Sequence, residues 1–254
     1  MIIAQISDTH IALDTPDADR RLQDFAATIA DINALDPASD VIVHTGDIVH
    51  NGRSDEYAQA RAVLSDARAP VHVMVGNKDH RVNLRAAFSD AAYLTTNSEF
   101  IDYAVEDFPV RLIMLDTLNP ESNKGDFCPQ RVKNLIEMTD AETAKPIVVF
   151  AHHPPFEVKV GPDPINFDPP DTMTALRKAL QHSDRVIAVI SGHVHRSTTG
   201  QVDTIPASVM PSIATTLRKG DYSVDMKTRP VYAIHRYDPK WGISSETRIV
   251  GMGS

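Results

Sequence analysis

Seven side chains in five short segments have the types and spacing for metal chemistry. They are Asp8 and His10 in SDTH, Asp47 in TGDIVH, Asn77 in VGNKDH, His152 in AHHPP, and His193 with His195 in SGHVHR. Imidazole, carboxylate and carboxamide oxygen suit first-row ions such as Fe, Mn, Co, Ni or Zn. A carboxylate can also join two ions, because each oxygen can bind a different one. Two cations about 3.5–4 Å apart can clamp a phosphoryl oxygen and generate hydroxide at neutral pH. The chemistry implied is in-line attack on phosphorus. Any one segment is a weak signal, since an Asp after a strand or a lone HxH is common. Recurrence after five apolar runs carries the reading. His44, His50, His72 and His182 lack such company and read as structural or solvated.

The elements that must position these groups follow from the apolar pattern. Val41–His44 reads as a strand, since Val41, Ile42 and Val43 are β-branched and apolar, as a buried parallel strand requires, and the run breaks at Gly46-Asp47. Ile2–Ser7, Val71–Val75, Pro146–Ala151 and Val186–Ile190 read as further strands, each running into one of the polar clusters. Helical spacing places helices after Thr15-Pro16, ending near Asp36-Pro37, and over Ser54–Ala67, Val82–Phe88, Pro129–Thr139 and Thr172–Gln181. Alternation of strand and helix in the first ninety residues implies right-handed crossovers and a parallel sheet. Ligands in such sheets bind at the carboxyl ends of the strands. Glu99–Val105 and Val110–Asp116 read as a strand pair. From residue 198 the pattern is β-rich, with short strands expected at Thr199–Thr204, Ser208–Pro211, Ser223–Lys227, Val231–Tyr237 and Ser244–Val250. Six of the 17 prolines lie between 154 and 171, which reads as a stiff loop at the mouth of a site or a surface connector.

Composition sets the limits. The 254 residues are 42% hydrophobic and 23% charged, ordinary for a globular α/β protein, and one domain over 1–254 is expected. A net charge of −9 argues against a binder of nucleic-acid polymers. The one cysteine, Cys128, excludes an intrachain disulfide and points to a reducing compartment. The N-terminus reads as a strand rather than a signal peptide, and no segment approaches the ~18 apolar residues of a membrane span. A cytoplasmic, membrane-free location is therefore expected.

Asp8-x-His10, Gly46-Asp47, Gly76-Asn77, His152-x-Pro154 and Gly192-His193-x-His195, in this order, resemble the calcineurin-like metallophosphoesterase superfamily over the chain to about residue 196. The SDTHI, HHPP and GHVHR elements are most similar to class III cyclic-nucleotide phosphodiesterases and bacterial glycerophosphodiesterases. The resemblance implies an α/β fold, a four-layer α-β-β-α sandwich, with residues 198–254 contributing to the second sheet. It also implies two metal ions (Fe, Mn or Zn). Asp8, His10, Asp47 and His195 would hold one, and Asp47, Asn77, His152 and His193 the other. The implied activity is hydrolysis of a small phosphodiester, a cyclic nucleotide or a glycerophosphodiester. A phosphomonoesterase, a phosphonate or nucleotide-linked diesterase, and a non-catalytic scaffold are the alternatives; the complete ligand set speaks against the last. Relatives often form dimers, so a homodimer is an expectation.

One position departs from the family, whose third motif reads Gly-Asn-His-Asp or Gly-Asn-His-Glu. Here Lys78 stands in place of that histidine, within GNKDH. Lysine is a poorer proton donor, with a reference pKa of ~10.4 against ~6.5, but remains a good point charge for phosphate. The catalytic residues expected are therefore Asp47 as bridge, Lys78 as substrate contact and His80 as proton donor. Asp79 is expected to orient an imidazole such as His10 or His80, and Arg196 is a further candidate for substrate contact. Specificity is expected to lie in the Pro-rich loop and around Asn119–Phe127 and Ser208–Lys219.

Overall fold

The computed structural model describes residues 1–94, 98–141, 144–159 and 164–252. Part of the Pro-rich stretch, Pro162 included, lies outside the described residues. Strands β1 (Ile2–Ile6), β2 (Val41–His44) and β3 (Val71–Val73) alternate with helices α1 (Ala18–Asn33), α2 (Ser54–Leu64) and α3 (Arg81–Ala87). β4 (Tyr103–Val105) and β5 (Arg111–Leu115) form an antiparallel pair. Then come α4 (Pro129–Asp140), β6 (Ile147–Ala151), α5 (Pro170–Leu180), β7 (Val186–Ser191), β8 (Thr198–Val202), β9 (Ile205–Val209), α6 (Val224–Thr228), β10 (Val231–Asp238) and β11 (Gly242–Ile249).

Two mixed sheets result. The first has the order β11-β10-β1-β2-β3, and the second β4-β5-β6-β7-β9-β8. β1, β2 and β3 are parallel, as the strand–helix alternation requires, and so are β5, β6, β7 and β9. The two-residue period of a strand divides the core. Leu112, Met114, Val148, Phe150, Ala188 and Ile190 join the cluster that contains the first sheet. Their neighbours Ile113, Leu115, Ile147, Val149, Ala151 and Val189 pack instead with Leu135 of α4 and Met173 and Leu176 of α5. The second sheet is therefore covered on both faces, by the first sheet and by helices. α1 covers the first sheet's far side, where Phe25 meets His44 edge-on. Among the described residues, no helix is long and apolar enough to cross a membrane.

The structure corrects four expectations. Thr15 and Pro16 do not cap α1; they form a turn closed by Ala18 N–H on the Thr15 carbonyl, and Asp17 is the N-cap. Residues 224–228 form a helical turn, α6, because the Ser223 hydroxyl accepts the Met226 N–H. The strands after residue 198 do not share one sheet. β8 and β9 extend the second, whereas β10 and β11 complete the first against β1. Finally, the described part of the Pro-rich stretch is not a surface connector, since Phe156, Val158 and Phe167 pack it into the core.

A buried polar network ties α3 and α4 to the loop that follows β5. Asp116 receives Arg81 through two bonds of 2.6 and 2.8 Å, and the backbone N–H groups of Ile101 and Leu118. Arg131 donates to the carbonyls of Asp116 and Leu118 and lies over the Phe100 ring. Asp102 accepts from Asp116 N–H at 2.7 Å and from Asn134 at 3.0 Å. Burial, and then the Asp116 charge, push the Asp102 carboxyl up to about 6. The folded state thus keeps a proton that the unfolded chain loses near pH 4. Stability from this group is present at low pH and lost as pH rises from about 4 to about 6. Asp102→Asn should remove that loss. Urea unfolding at pH 4.5 and pH 7 is expected to show a smaller fall, or a larger gain, for the variant than for the wild type; parallel behaviour would refute the assignment.

Candidate metal centre

The loops leaving β1, β2, β3, β6 and β7 meet at one edge of the sandwich. Their approach is too close for side chains at two glycines. A Cβ on Gly46, at φ +92°, would stand 2.7 Å from Gly76 N and 2.8 Å from His152 Nδ1. A Cβ on Gly76 would stand 2.3 Å from an Asp47 carboxylate oxygen. Among the described residues six non-glycines have positive φ, and five of them are Asp8, His10, Asp47, His193 and His195. Left-handed backbone at a non-glycine residue costs of order 1–3 kcal/mol and concentrates at functional sites. These loops are shaped to aim side chains at a common point.

Two donor groups result. In the first, Nε2 of His195 lies 3.3 Å and Nε2 of His10 3.8 Å from Asp8 Oδ1, and the two Nε2 atoms are 3.0 Å apart. In the second, Asn77 Oδ1 lies 2.9 Å from His193 Nδ1 and 3.2 Å from His152 Nε2. Asp47 faces both, with Oδ2 3.4 Å from His10 Nε2 and Oδ1 3.4 Å from His152 Nε2. The structure brings together all seven residues singled out from the sequence.

The donor set fits divalent cations. His152 turns Nδ1 to the Thr45 carbonyl at 2.7 Å, and His195 turns Nδ1 to the Leu217 carbonyl at 3.0 Å. A ring N–H donated to a carbonyl leaves the lone pair on Nε2, which is the atom facing inward. Asp8 Oδ2 receives the Ser7 hydroxyl at 2.6 Å and His193 N–H at 3.1 Å, while Asp8 Oδ1 is buried without a hydrogen-bond partner. An unsatisfied buried carboxylate oxygen is costly, and a cation would satisfy it.

His153, which the sequence did not single out, stands in the second cluster with His152 and His193. Both of its nitrogens are engaged: Nδ1 with the Thr117 hydroxyl at 2.8 Å and Nε2 with the Asn123 carbonyl at 3.2 Å. Its ring is a wall against His193, with centroids 4.4 Å apart, rather than a free ligand. His50 is also closer to the site than expected, in edge contact with the His10 ring at 5.7 Å.

The GNKDH loop supports the centre mainly through its backbone. Lys78 N–H donates to Asp47 Oδ1 at 2.7 Å, and Lys78 Nζ donates to Asn123 Oδ1 at 3.0 Å. Asp79 does not orient an imidazole. It receives the N–H groups of Ile48, Val49 and Gly76 and the Tyr57 hydroxyl, so it pins the loops after β2 and β3 to each other. Burial and the Asp47 charge raise its carboxyl to about 7, against those donors. His80 is exposed, and its Nδ1 accepts Asn83 N–H as the cap of α3. Arg196 keeps a buried Nε beside Gly220.

Electrostatics follows from burial and pairing. Burial would raise the Asp8 and Asp47 carboxyls, yet the surrounding imidazoles hold both well below the usual range. Burial lowers His10 to about 3 and also depresses His193. For His152, burial is outweighed by the Asp47 charge, which pushes it up to about 9. In the metal-free protein Asp47 and Asp8 thus favour the protonated forms of His152 and His195, and a divalent cation would take the place of those protons.

A family model for calcineurin-like phosphoesterases matches residues 1–197. The chain belongs to this family. This phosphoesterase is 29% identical to a probable glycerophosphodiester phosphodiesterase GpdQ of Arcobacter nitrofigilis, over 99% of the chain and 94% of that protein. It is 28% identical to a probable cyclic nucleotide phosphodiesterase of Rhodopseudomonas palustris, over 75% of the chain and 69% of that protein. The fold matches a dimetal phosphatase from Danio rerio with a TM-score of 0.72 at 14% identity, covering 99% of both chains. The phosphoesterase is thus a hydrolase whose family uses divalent metals, with its donors gathered at one edge.

Cation binding should be visible without any substrate. Mn²⁺ at about a hundred times its Kd is expected to stabilise the metal-free protein by about 2.7 kcal/mol. The urea midpoint should rise, and Asp8→Ala should lose most of that rise. A wild-type midpoint indifferent to Mn²⁺ would count against the centre.

Proposed function

We propose that this phosphoesterase is a phosphodiesterase working with two divalent cations, Fe, Mn or Zn, on a small diester such as a cyclic nucleotide or a glycerophosphodiester. The observation that carries it is the Asp47 carboxylate, with one oxygen toward His10 and the other toward His152. When bound, the cation pair supplies Lewis acidity to a phosphoryl oxygen and lowers the pKa of water. Asp8, His10 and His195 would hold one cation, Asn77, His152 and His193 the other, and Asp47 both. The names of the relatives, glycerophosphodiester and cyclic nucleotide phosphodiesterases, support a diester over a monoester.

The chain's own residues divide the remaining work. Lys78 places an ammonium beside the second donor group, where it can bind a non-bridging phosphate oxygen. His80, with Nδ1 committed to the α3 cap, is less well placed as a proton donor. A single domain in a reducing, cytoplasmic compartment, acting as a homodimer, completes the reading; the lone Cys128 supports the compartment.

With Mn²⁺ loaded, bis(p-nitrophenyl) phosphate should be hydrolysed faster than p-nitrophenyl phosphate, and undetectable hydrolysis of both would favour a scaffold. Lys78→Ala should lower kcat/KM on the diester at least about tenfold, some 1.4 kcal/mol of barrier. His80→Ala should stay within about threefold. The reverse order would give the catalytic role to His80.

A further inference from the structure

Asn123 lies in the loop between β5 and α4, is exposed, and has no role in the family resemblance. Its side-chain oxygen nonetheless receives two donors from the metal centre: Asn77 Nδ2 at 3.4 Å and Lys78 Nζ at 3.0 Å. We propose that Asn123 is a positioning residue of the centre, which fixes the oxygen end of Asn77 toward the second cation and tethers the Lys78 ammonium beside it. The inference rests on the two-cation reading above and names a residue that serves it.

The Asn77 carboxamide has two ends of nearly equal shape, but only the oxygen can ligate a cation. Its oxygen faces His152 and His193. Reversing the group would turn an NH₂ toward those imidazoles and set its oxygen against the Asn123 oxygen, acceptor facing acceptor. The bond from Asn77 Nδ2 to Asn123 therefore selects the ligating orientation. Such outer partners of metal ligands typically matter 10–100-fold in affinity or activity.

Lys78 needs the same partner for another reason. A histidine, which the resemblance places here, carries its donor on a short, rigid ring. Lysine carries its charge on a flexible four-carbon stem. A bond from Nζ to Asn123 narrows the space that the charge can search. The ammonium has three donors, so two remain for a phosphate oxygen. Asn123 thus offsets the loss of rigidity that comes with lysine at position 78.

Though exposed, Asn123 sits on a firm base. Its carbonyl faces His153 Nε2, and His153 Nδ1 faces the Thr117 hydroxyl. Gly125 lies flat on the His153 ring, where a Cβ would stand 2.8 Å from Cγ. Gly125 also exchanges backbone bonds of 2.8 Å with Asn166 and Asp168. The loop start is fastened by Arg131 on the Asp116 and Leu118 carbonyls.

The test combines metal titration with a double-mutant cycle. Metal-free wild type, Asn123→Ala and Asn123→Asp are titrated with Mn²⁺ by calorimetry. Asn123→Ala should weaken the lower-affinity Mn²⁺ about tenfold or more. Asn123→Asp, which keeps an acceptor for both donors, should bind Mn²⁺ within about threefold of wild type or more tightly. At saturating Mn²⁺, Asn123→Ala should lower kcat/KM on bis(p-nitrophenyl) phosphate several-fold in the wild type and hardly further in Lys78→Ala, since the two act as a unit. Unchanged Mn²⁺ affinity in Asn123→Ala, or losses that multiply in the double variant, would overturn the role of Asn123 alone. A wild type that takes up fewer than two Mn²⁺ would bring down the two-cation reading itself.

Discussion

Everything at the active edge is arranged around the division of one carboxylate between two neighbourhoods. Asp47 can turn one oxygen to His10 and the other to His152 only because its backbone is left-handed, at φ 52°, and because Gly46 and Gly76 let the β2 and β3 loops touch. Asp79 then locks the contact by receiving N–H groups from both loops. Lys78 N–H holds one Asp47 oxygen in place. Each of these groups helps to fix where the shared carboxylate points.

The sequence was most legible where a strand ends in a chemically distinctive residue. β2 was expected over Val41–His44 and is found there, and the seven ligand candidates meet as read. Such signals are local: an apolar run, a glycine, a donor. What escaped reading is nonlocal. His152 and His153 are adjacent and alike; only their partners, Thr45 for one and Thr117 with Asn123 for the other, separate a lone pair aimed inward from a ring wholly engaged. The motif position of Asp79 suggests a partner for imidazole, yet its partners are the distant amides of Ile48 and Val49, the nearby amide of Gly76 and the hydroxyl of Tyr57 on α2. Asn123 has no signal of its own; it is one polar residue of the stretch Asn119–Phe127, where only specificity is expected. Ser223–Lys227 has the pattern of a strand, but the Ser223 hydroxyl closes a helical turn on the Met226 N–H.

Parts of the centre also depend on chain beyond the family match, which ends at residue 197. The Leu217 carbonyl sets the His195 tautomer, and the Ser212 hydroxyl donates to the Asp8 carbonyl at 2.7 Å. Ile213 N–H reaches the Ser7 carbonyl. The motifs supply the ligating atoms, and the segment after β9 holds several of them to their heading.

The pairing of β1 with β10 also bears on biosynthesis. Ile2 lies opposite Arg236, so the strand that delivers Asp8 and His10 gains its second neighbour only after the long stretch between these residues has left the ribosome. Until then a nascent chain would carry an apolar strand with one open edge. Contacts of such long sequence separation slow folding and expose edges to association. The strand that leads into Asp8 and His10 is therefore made long before the strand that encloses it.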